Sequence, residues 1–379
     1  MFEKISRLIT LLICSICWFI TRVFLFRYSR IDLAKQSIER VVVLAWGGIG
    51  NVILLTPVLK NLKRNFPLAQ ICVVVNPNGS KQALEGSPWA DVIIEQQDRG
   101  LKDILKHSRA VKVGNKTSLF VCMVGIDPIR ATLYSFFCGC RYHVGERGRL
   151  EGFLYTHTIK VEPRKHEVER NLDLLREIGV PVEDKDISFF LPEEIKSGIR
   201  RELTEKGIEN KLIVMAPGSG ITQIFKRWPK EHFAQVAQWL IKRGFSVLLL
   251  GSVDEWQLCE DIKKISAGPV YNTAGQWTLK QAAAAISFSK MALTNDNVFM
   301  HVAAALKIPV VAIFGPTLPE KNAPWTRSYR IVKKTLICSP CYNFKKFFCP
   351  YDMKCLKELS PSEVFAAIEA LDSQIQCLS

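Results

Sequence analysis

The sequence predicts an α/β protein built on two parallel sheets, and three observations carry that prediction. The chain has 379 residues with 48% hydrophobic content, beyond the size at which a single hydrophobic core keeps growing. Apolar runs alternate with amphipathic stretches along most of its length, the pattern of strands joined by crossover helices. Between about residues 180 and 211 the alternation gives way to a highly charged stretch punctuated by Pro181 and Pro192, after which a second series begins. Two similar sheet-and-helix units facing one another across a central cleft are the expectation.

The first thirty residues differ from the rest. Lys4 and Arg7 precede an apolar run from Leu8 to Thr21, and Arg22, Arg27 and Arg30 follow. That run is shorter than the roughly 20 residues of a spanning helix. Cations on both flanks fit an interfacial helix or a snorkelling short span better than a cleaved signal. A buried first helix is the alternative. From Arg40 the first series reads VVVLAW as strand, VILLTPVLKNLKRNF as helix, then the strands ICVVVN, DVIIEQ and SLFVCMVGID, the helix PIRATLYSFF, a basic aromatic segment from Arg141 to His157, and the helix HEVERNLDLLREIGV. The second series reads KLIVMAPG, FSVLLLGS, KMALTND and PVVAIFGPT as strands, with helices at EHFAQVAQWLIKRG, DEWQLCEDIKKI, LKQAAAAISFS and VFMHVAAAL between them. The expected boundaries are a membrane-anchor segment at 1–35, a first domain at 36–190, a linker at 191–210, a second domain at 211–335 and a cysteine-containing extension with a helix at 336–379.

A net charge of +15 favours polyanionic partners: an anionic membrane surface, phosphorylated substrates or nucleic acid. No recognised nucleic-acid motif accompanies the basic residues, so nucleic acid is not an expected partner. Twelve cysteines in a chain this large need no disulfide framework. Those in apolar runs, such as Cys72, Cys122, Cys138, Cys140 and Cys259, read as small hydrophobes.

Three segments fall at the ends of strands. WGGIGNVILLTP lies at a strand-to-helix turn, where glycines let the backbone approach closely and helix N–H groups attract anions. A dinucleotide fingerprint fails in detail, because Gly48 and Gly50 fit but the third glycine falls on Ile53, and no acid ends the second strand at Asn76. In APGSGITQIFKRWP, small residues after a strand lead to Lys226 and Arg227, suited to a diphosphate unless the loop is merely a solvated surface. In LTNDNVFMHVAAALKIPVVAIFGPT, Asn295, Asp296 and Asn297 end a strand and cap a helix whose first turn carries His301. A satisfied core histidine competes there with a functional one.

In this order and spacing the segments resemble glycosyltransferase family 9, the lipopolysaccharide heptosyltransferases, from about Arg40 to Leu371. The resemblance implies the GT-B fold, two Rossmann-like domains with parallel sheets, and an inverting, metal-independent transfer from a nucleotide-diphosphate sugar, usually ADP-heptose, to the lipopolysaccharide core or a related lipid-linked saccharide. No cofactor is implied, since the nucleotide sugar is a substrate. It further implies donor binding by Gly218, Ser219, Thr222, Lys226, Asp296, Asn297 and His301, and an acceptor side in the first domain at Gly48 and Gly50. Arg130, Arg141, Arg147 and Arg149 suit acceptor phosphates by their forked donor geometry, or form a solvated basic face. The implied location is the cytoplasmic face of the bacterial inner membrane.

Two departures from the family pattern matter. The first loop commonly carries an acid proposed as general base, and this chain has Asn51; Asp127, at the end of its strand, is the replacement candidate, with helix capping as the competing role. Val298 replaces a small residue near the donor helix and leaves another hexose or heptose as a candidate donor. A catalytically weakened nucleotide-sugar-binding protein is the alternative function. Cys338, Cys341, Cys349 and Cys355 form a metal-like pattern, but a similar pattern in family members without a known catalytic metal favours reduced thiols or a bridge, and no metal is assigned.

Overall fold

The computed structural model describes residues 31–376 apart from 97–99, 112–116, 148–154, 209–210 and 343–348. Residues 1–30 of the expected anchor, and Arg149, lie outside the described residues. Among the described residues no helix is long and apolar enough to cross a membrane. The chain divides into two units between Lys185 and Asp186.

In the first unit, β1 (Arg40–Ala45), β2 (Gln70–Val75), β3 (Val92–Glu95), β4 (Ser118–Cys122), β5 (Tyr142–Glu146) and β6 (His157–Ile159) form a parallel sheet in the order β3-β2-β1-β4-β5-β6. Val42 stands opposite Cys72 on one side and Phe120 on the other. β1, β2 and β4 are buried over almost their whole length, as strands covered by helices on both faces must be. The helices are α1 (Ile49–Leu54), α2 (Thr56–Asn65), α3 (Ser80–Leu84), α4 (Leu101–Ala110), α5 (Pro128–Cys138) and α6 (Glu167–Glu177). The single helix expected over 52–66 is two: Pro57 has no N–H to continue the ladder, and the Thr56 hydroxyl closes the turn on the Ile53 carbonyl at 2.7 Å. β4 ends at Cys122 rather than running to Asp127, because the Val124 N–H leaves the sheet and donates to Asn171 Oδ1 on α6 at 3.0 Å.

In the second unit, β7 (Leu212–Ala216), β8 (Ser246–Leu249), β9 (Val270–Asn272), β10 (Met291–Asn295), β11 (Val310–Ile313) and β12 (Tyr329–Val332) form a second parallel sheet in the order β12-β11-β10-β7-β8-β9. Its helices are α7 (Glu193–Glu205), α8 (Lys230–Ile241), α9 (Trp256–Ser266), α10 (Leu279–Ser287), α11 (Val298–Ala305), α12 (Pro319–Asn322), α13 (Lys354–Lys357) and α14 (Pro361–Gln376). The stretch expected as a linker at 191–210 carries α7, which buries Ile199 and Leu203 and packs on α10. α14 returns to cover β11, β12 and α8, with Phe365 stacked on Trp239 at 4.8 Å. Trp228, Phe233, Leu293, Val311 and Leu371 belong to one core.

Counted from its own first strand, each sheet has the order 3-2-1-4-5-6. The winding reverses between strands one and four, and ligands of such sheets bind beyond the carboxyl ends of the strands at that reversal. This points to the loops after β7 and β10 in the second unit, and to those after β1 and β4 in the first.

Candidate active site

Beyond β7 and β10, three consecutive side chains bind the two loops together. Asn295 donates Nδ2 to the Pro217 carbonyl at 2.6 Å and accepts the Trp228 N–H at 3.3 Å. Asn297 caps α11, its Oδ1 accepting from Phe299 N and Met300 N, while its Nδ2 donates to the carbonyls of Ala216 and Gly218 at 3.0 and 2.8 Å. Between them Asp296 meets Lys226, Nζ to Oδ2 2.9 Å, in an ion pair whose side chains are only 10% and 6% exposed for lysine and aspartate respectively. Both charges have lost most of their water. Each therefore depends on the other, since removing one partner of such a pair leaves an uncompensated charge. His301 is buried one turn into α11.

The Gly218–Lys226 loop is held from its other side by a residue the sequence did not single out. Glu255 is 4% exposed. Its Oε1 accepts the N–H groups of Ser219 and Gly220 at 2.7 and 2.8 Å and Arg227 Nη2 at 3.1 Å, and its Oε2 accepts Ser252 N at 3.0 Å. A Cβ on Gly218 would lie 2.0 Å from the Glu255 carboxyl carbon, which is why glycine stands there. Ser219 turns its hydroxyl to the Gln223 carbonyl at 2.7 Å, and Thr222 is exposed on the 3-10 turn Ile221–Lys226. The Ser252-x-x-Glu255 spacing is a capping box and was the available signal.

In the first unit, the turn after β1 abuts the loop after β4. A Cβ on Gly47 would come within 2.9 Å of both Asn51 Cβ and Met123 Cε. Gly47, rather than Gly48 or Gly50, makes the close approach; Gly48 starts α1 and Gly50 lies within it. Asn51 follows on α1. Asp127 caps α5, its Oδ1 accepting from Arg130 N at 3.0 Å, and it is exposed. Glu146, at the end of β5, accepts the Gly125 N–H of the same loop at 3.2 Å. Arg130 and Arg147 are exposed at this end of the sheet. Arg141 is not with them: it precedes β5, its N–H on the Ser118 hydroxyl at the start of β4, a strand's length, roughly 20 Å, away. The motif HEVERN works from beneath, with His166 capping α6, Glu167 paired to Arg170 at 2.5 Å, and Asn171 holding Val124.

In the C-terminal extension Cys338, Cys341, Cys349 and Cys355 are all free thiols. Burial and the neighbouring thiols of Cys341, Cys349 and Cys338 push Cys355 up to about 11, so it is protonated at neutral pH. Among the described residues no three metal-ligating side chains converge.

Several known proteins resemble this chain. Lipopolysaccharide heptosyltransferase 3 of Escherichia coli is 25% identical over 296 residues, 74% of this chain and 83% of that protein. The solved structure of a family 9 glycosyl transferase from Veillonella parvula matches with a TM-score of 0.76 at 22% identity, covering 89% of this chain and 99% of that one. That of the Escherichia coli ADP-heptose lipopolysaccharide heptosyltransferase II matches at 0.71 and 23%, with the same coverage. These establish the GT-B fold. The profile described as glycosyltransferase family 9 (heptosyltransferase) matches residues 130–351, more than half of the sequence and inclusive of both loops that carry the Lys226–Asp296 pair; the chain belongs to that family and is a glycosyltransferase of the heptosyltransferase kind.

Proposed function

We propose that the protein transfers a heptose from ADP-heptose to the core of lipopolysaccharide or a related lipid-linked glycan, in one inverting displacement without a metal. The observation that carries this is the dry Lys226–Asp296 pair at the strand reversal of the second unit, a cation held where a diphosphate would meet it. The names of the lipopolysaccharide heptosyltransferases among its relatives support the sugar and the acceptor. On this reading Lys226 and Thr222 serve the diphosphate beside Gly218 and Ser219, and Asp296, Asn297 and His301 present the start of α11. Gly48, Gly50, Arg130 and Arg147 serve the acceptor. The basic, apolar segment at 1–35 supports attachment to the anionic cytoplasmic face of the inner membrane.

Displacement at the anomeric carbon requires the acceptor hydroxyl to give up its proton, and the Asn51 amide cannot take it. Asp127 is proposed as the base, within about 3 Å of the hydroxyl or through one water. Asn51 also favours a second reading, a nucleotide-sugar-binding protein that has lost most of its turnover. One experiment separates them: purified protein is given ADP-heptose and a heptose-deficient lipopolysaccharide, and ADP release is followed together with the mass of the glycolipid. Coupled ADP release and addition of one heptose is expected, and Asp127→Asn, which keeps a capping side chain, should abolish it. Binding of ADP-heptose without turnover supports the second reading, and turnover only with another nucleotide sugar corrects the donor. Full activity in Asp127→Asn removes Asp127 from the chemistry.

A further inference from the structure

The cysteine-bearing extension reaches the donor loops. Ser339 donates its hydroxyl to the Gly315 carbonyl at 2.7 Å, and the N–H groups of Cys341 and Tyr342 both donate to the Pro316 carbonyl at 2.9 Å. Further along, Leu356 packs so tightly on Gly315 that a Cβ there would lie 2.6 Å from Leu356 Cγ. The extension is thus fastened to the loop that ends β11, next in the sheet to β10 and its Asp296. This fastening delivers one aromatic ring to the ion pair. Lys226 Nζ lies 5.8 Å from the Tyr342 ring centroid, within the range of a cation–π contact. Phe225, the residue before Lys226, meets the same ring at 4.8 Å. Burial, and after it the Asp296 charge, raises the Tyr342 hydroxyl above its ordinary pKa, so the phenol stays neutral beside the carboxylate.

A lysine ammonium on a flexible stem does not hold one direction by charge attraction alone. Asp296 supplies one constraint, and a ring over the ammonium with a second ring on the preceding residue supplies two more. We propose that Tyr342 is a positioning residue of the donor site: carried in by the C-terminal extension, its ring fixes the Lys226 ammonium against Asp296 so that the cation meets the donor diphosphate already oriented. This rests on the donor role proposed for Lys226.

The test uses the full chain with ADP as the probe, in calorimetric titrations of wild type, Tyr342→Phe and Tyr342→Leu, and of the Leu change in a Lys226→Met background. Phe keeps the ring and should bind within about twofold of wild type, whereas Leu fills the space without a π face and should bind about fivefold more weakly. In the Lys226→Met background the Leu change should cost nothing further. A second readout needs no nucleotide: acylation of the Lys226 amine, followed by mass spectrometry, should speed up in the Leu variant and not in the Phe variant. Wild-type affinity and labelling in Tyr342→Leu overturn the proposal, as does a loss that persists undiminished without Lys226. A Leu variant that fails to fold while Phe folds would make the ring a core prop, which also overturns it. Wild-type protein with no affinity for ADP fails the donor reading instead, and the labelling then decides the Tyr342 contact by itself.

Discussion

Lys226 and Asp296 put opposite charges 2.9 Å apart with little water around either, so a change to one acts on the other. Lys226→Ala removes the cation proposed to meet the diphosphate and strands a buried carboxylate; Asp296→Asn keeps the shape and frees the lysine. Each is expected to weaken ADP binding by roughly 1 to 3 kcal/mol, measured by titration calorimetry, with Lys226→Ala also lowering the thermal midpoint more than Asp296→Asn. Unchanged affinity in both would place the donor elsewhere. Both could be picked out in the sequence as charged residues in loops beyond strands, Asp296 directly after β10 and Lys226 at the end of the 3-10 turn in the loop after β7. Glu255 and Tyr342 were not. Glu255 reaches the Ser219 and Gly220 amides from 36 and 35 residues further along the chain, and Tyr342 reaches Lys226 from the extension beyond β12; the capping-box spacing marks Glu255 only as a helix cap, and no local pattern marks Tyr342. Arg141 failed for the opposite reason, because its neighbours in sequence suggested company that β5 separates.

Strands were the most readable elements, since parallel strands buried on both faces are uninterrupted apolar runs. Their ends were less so: that β4 stops at Cys122 is decided by the hydrogen bond that the Val124 N–H donates to Asn171 on α6, which no pattern within β4 encodes. β5 carries a consequence of the same burial. His143 is buried there against the Phe120 ring, and burial holds its imidazole down to about 4 from 6.5. The folded protein therefore binds fewer protons than the unfolded chain between those values. Stability fully present above pH 6.5 is lost as the pH falls towards 4, by about 3 kcal/mol in all. His157 on β6 is shifted in the same direction, also by burial. The thermal midpoint should fall between pH 7 and pH 5 in the wild type and fall less in His143→Phe; equal falls would mean that other groups govern the acid sensitivity.

At the scale of the whole molecule, each sheet is drawn from one continuous stretch of chain, and among the described residues no strand of one unit enters the sheet of the other. The charged stretch that marked the break in the sequence stands close to the division at Lys185 and Asp186. Residues 186–379 expressed alone should unfold in one cooperative thermal transition and retain ADP affinity within about threefold of the full chain, a difference of under about 1 kcal/mol. A fragment that is folded but does not bind would move part of the donor site into the first unit. The strand order also sets a timetable. With strand four lying beside strand one, Lys226 leaves the ribosome 70 residues before Asp296, a delay on the order of 4 to 14 seconds at ordinary rates of synthesis. For that interval the growing chain carries the cation without its counter-charge, so the Lys226–Asp296 pair cannot seed the folding of its own unit.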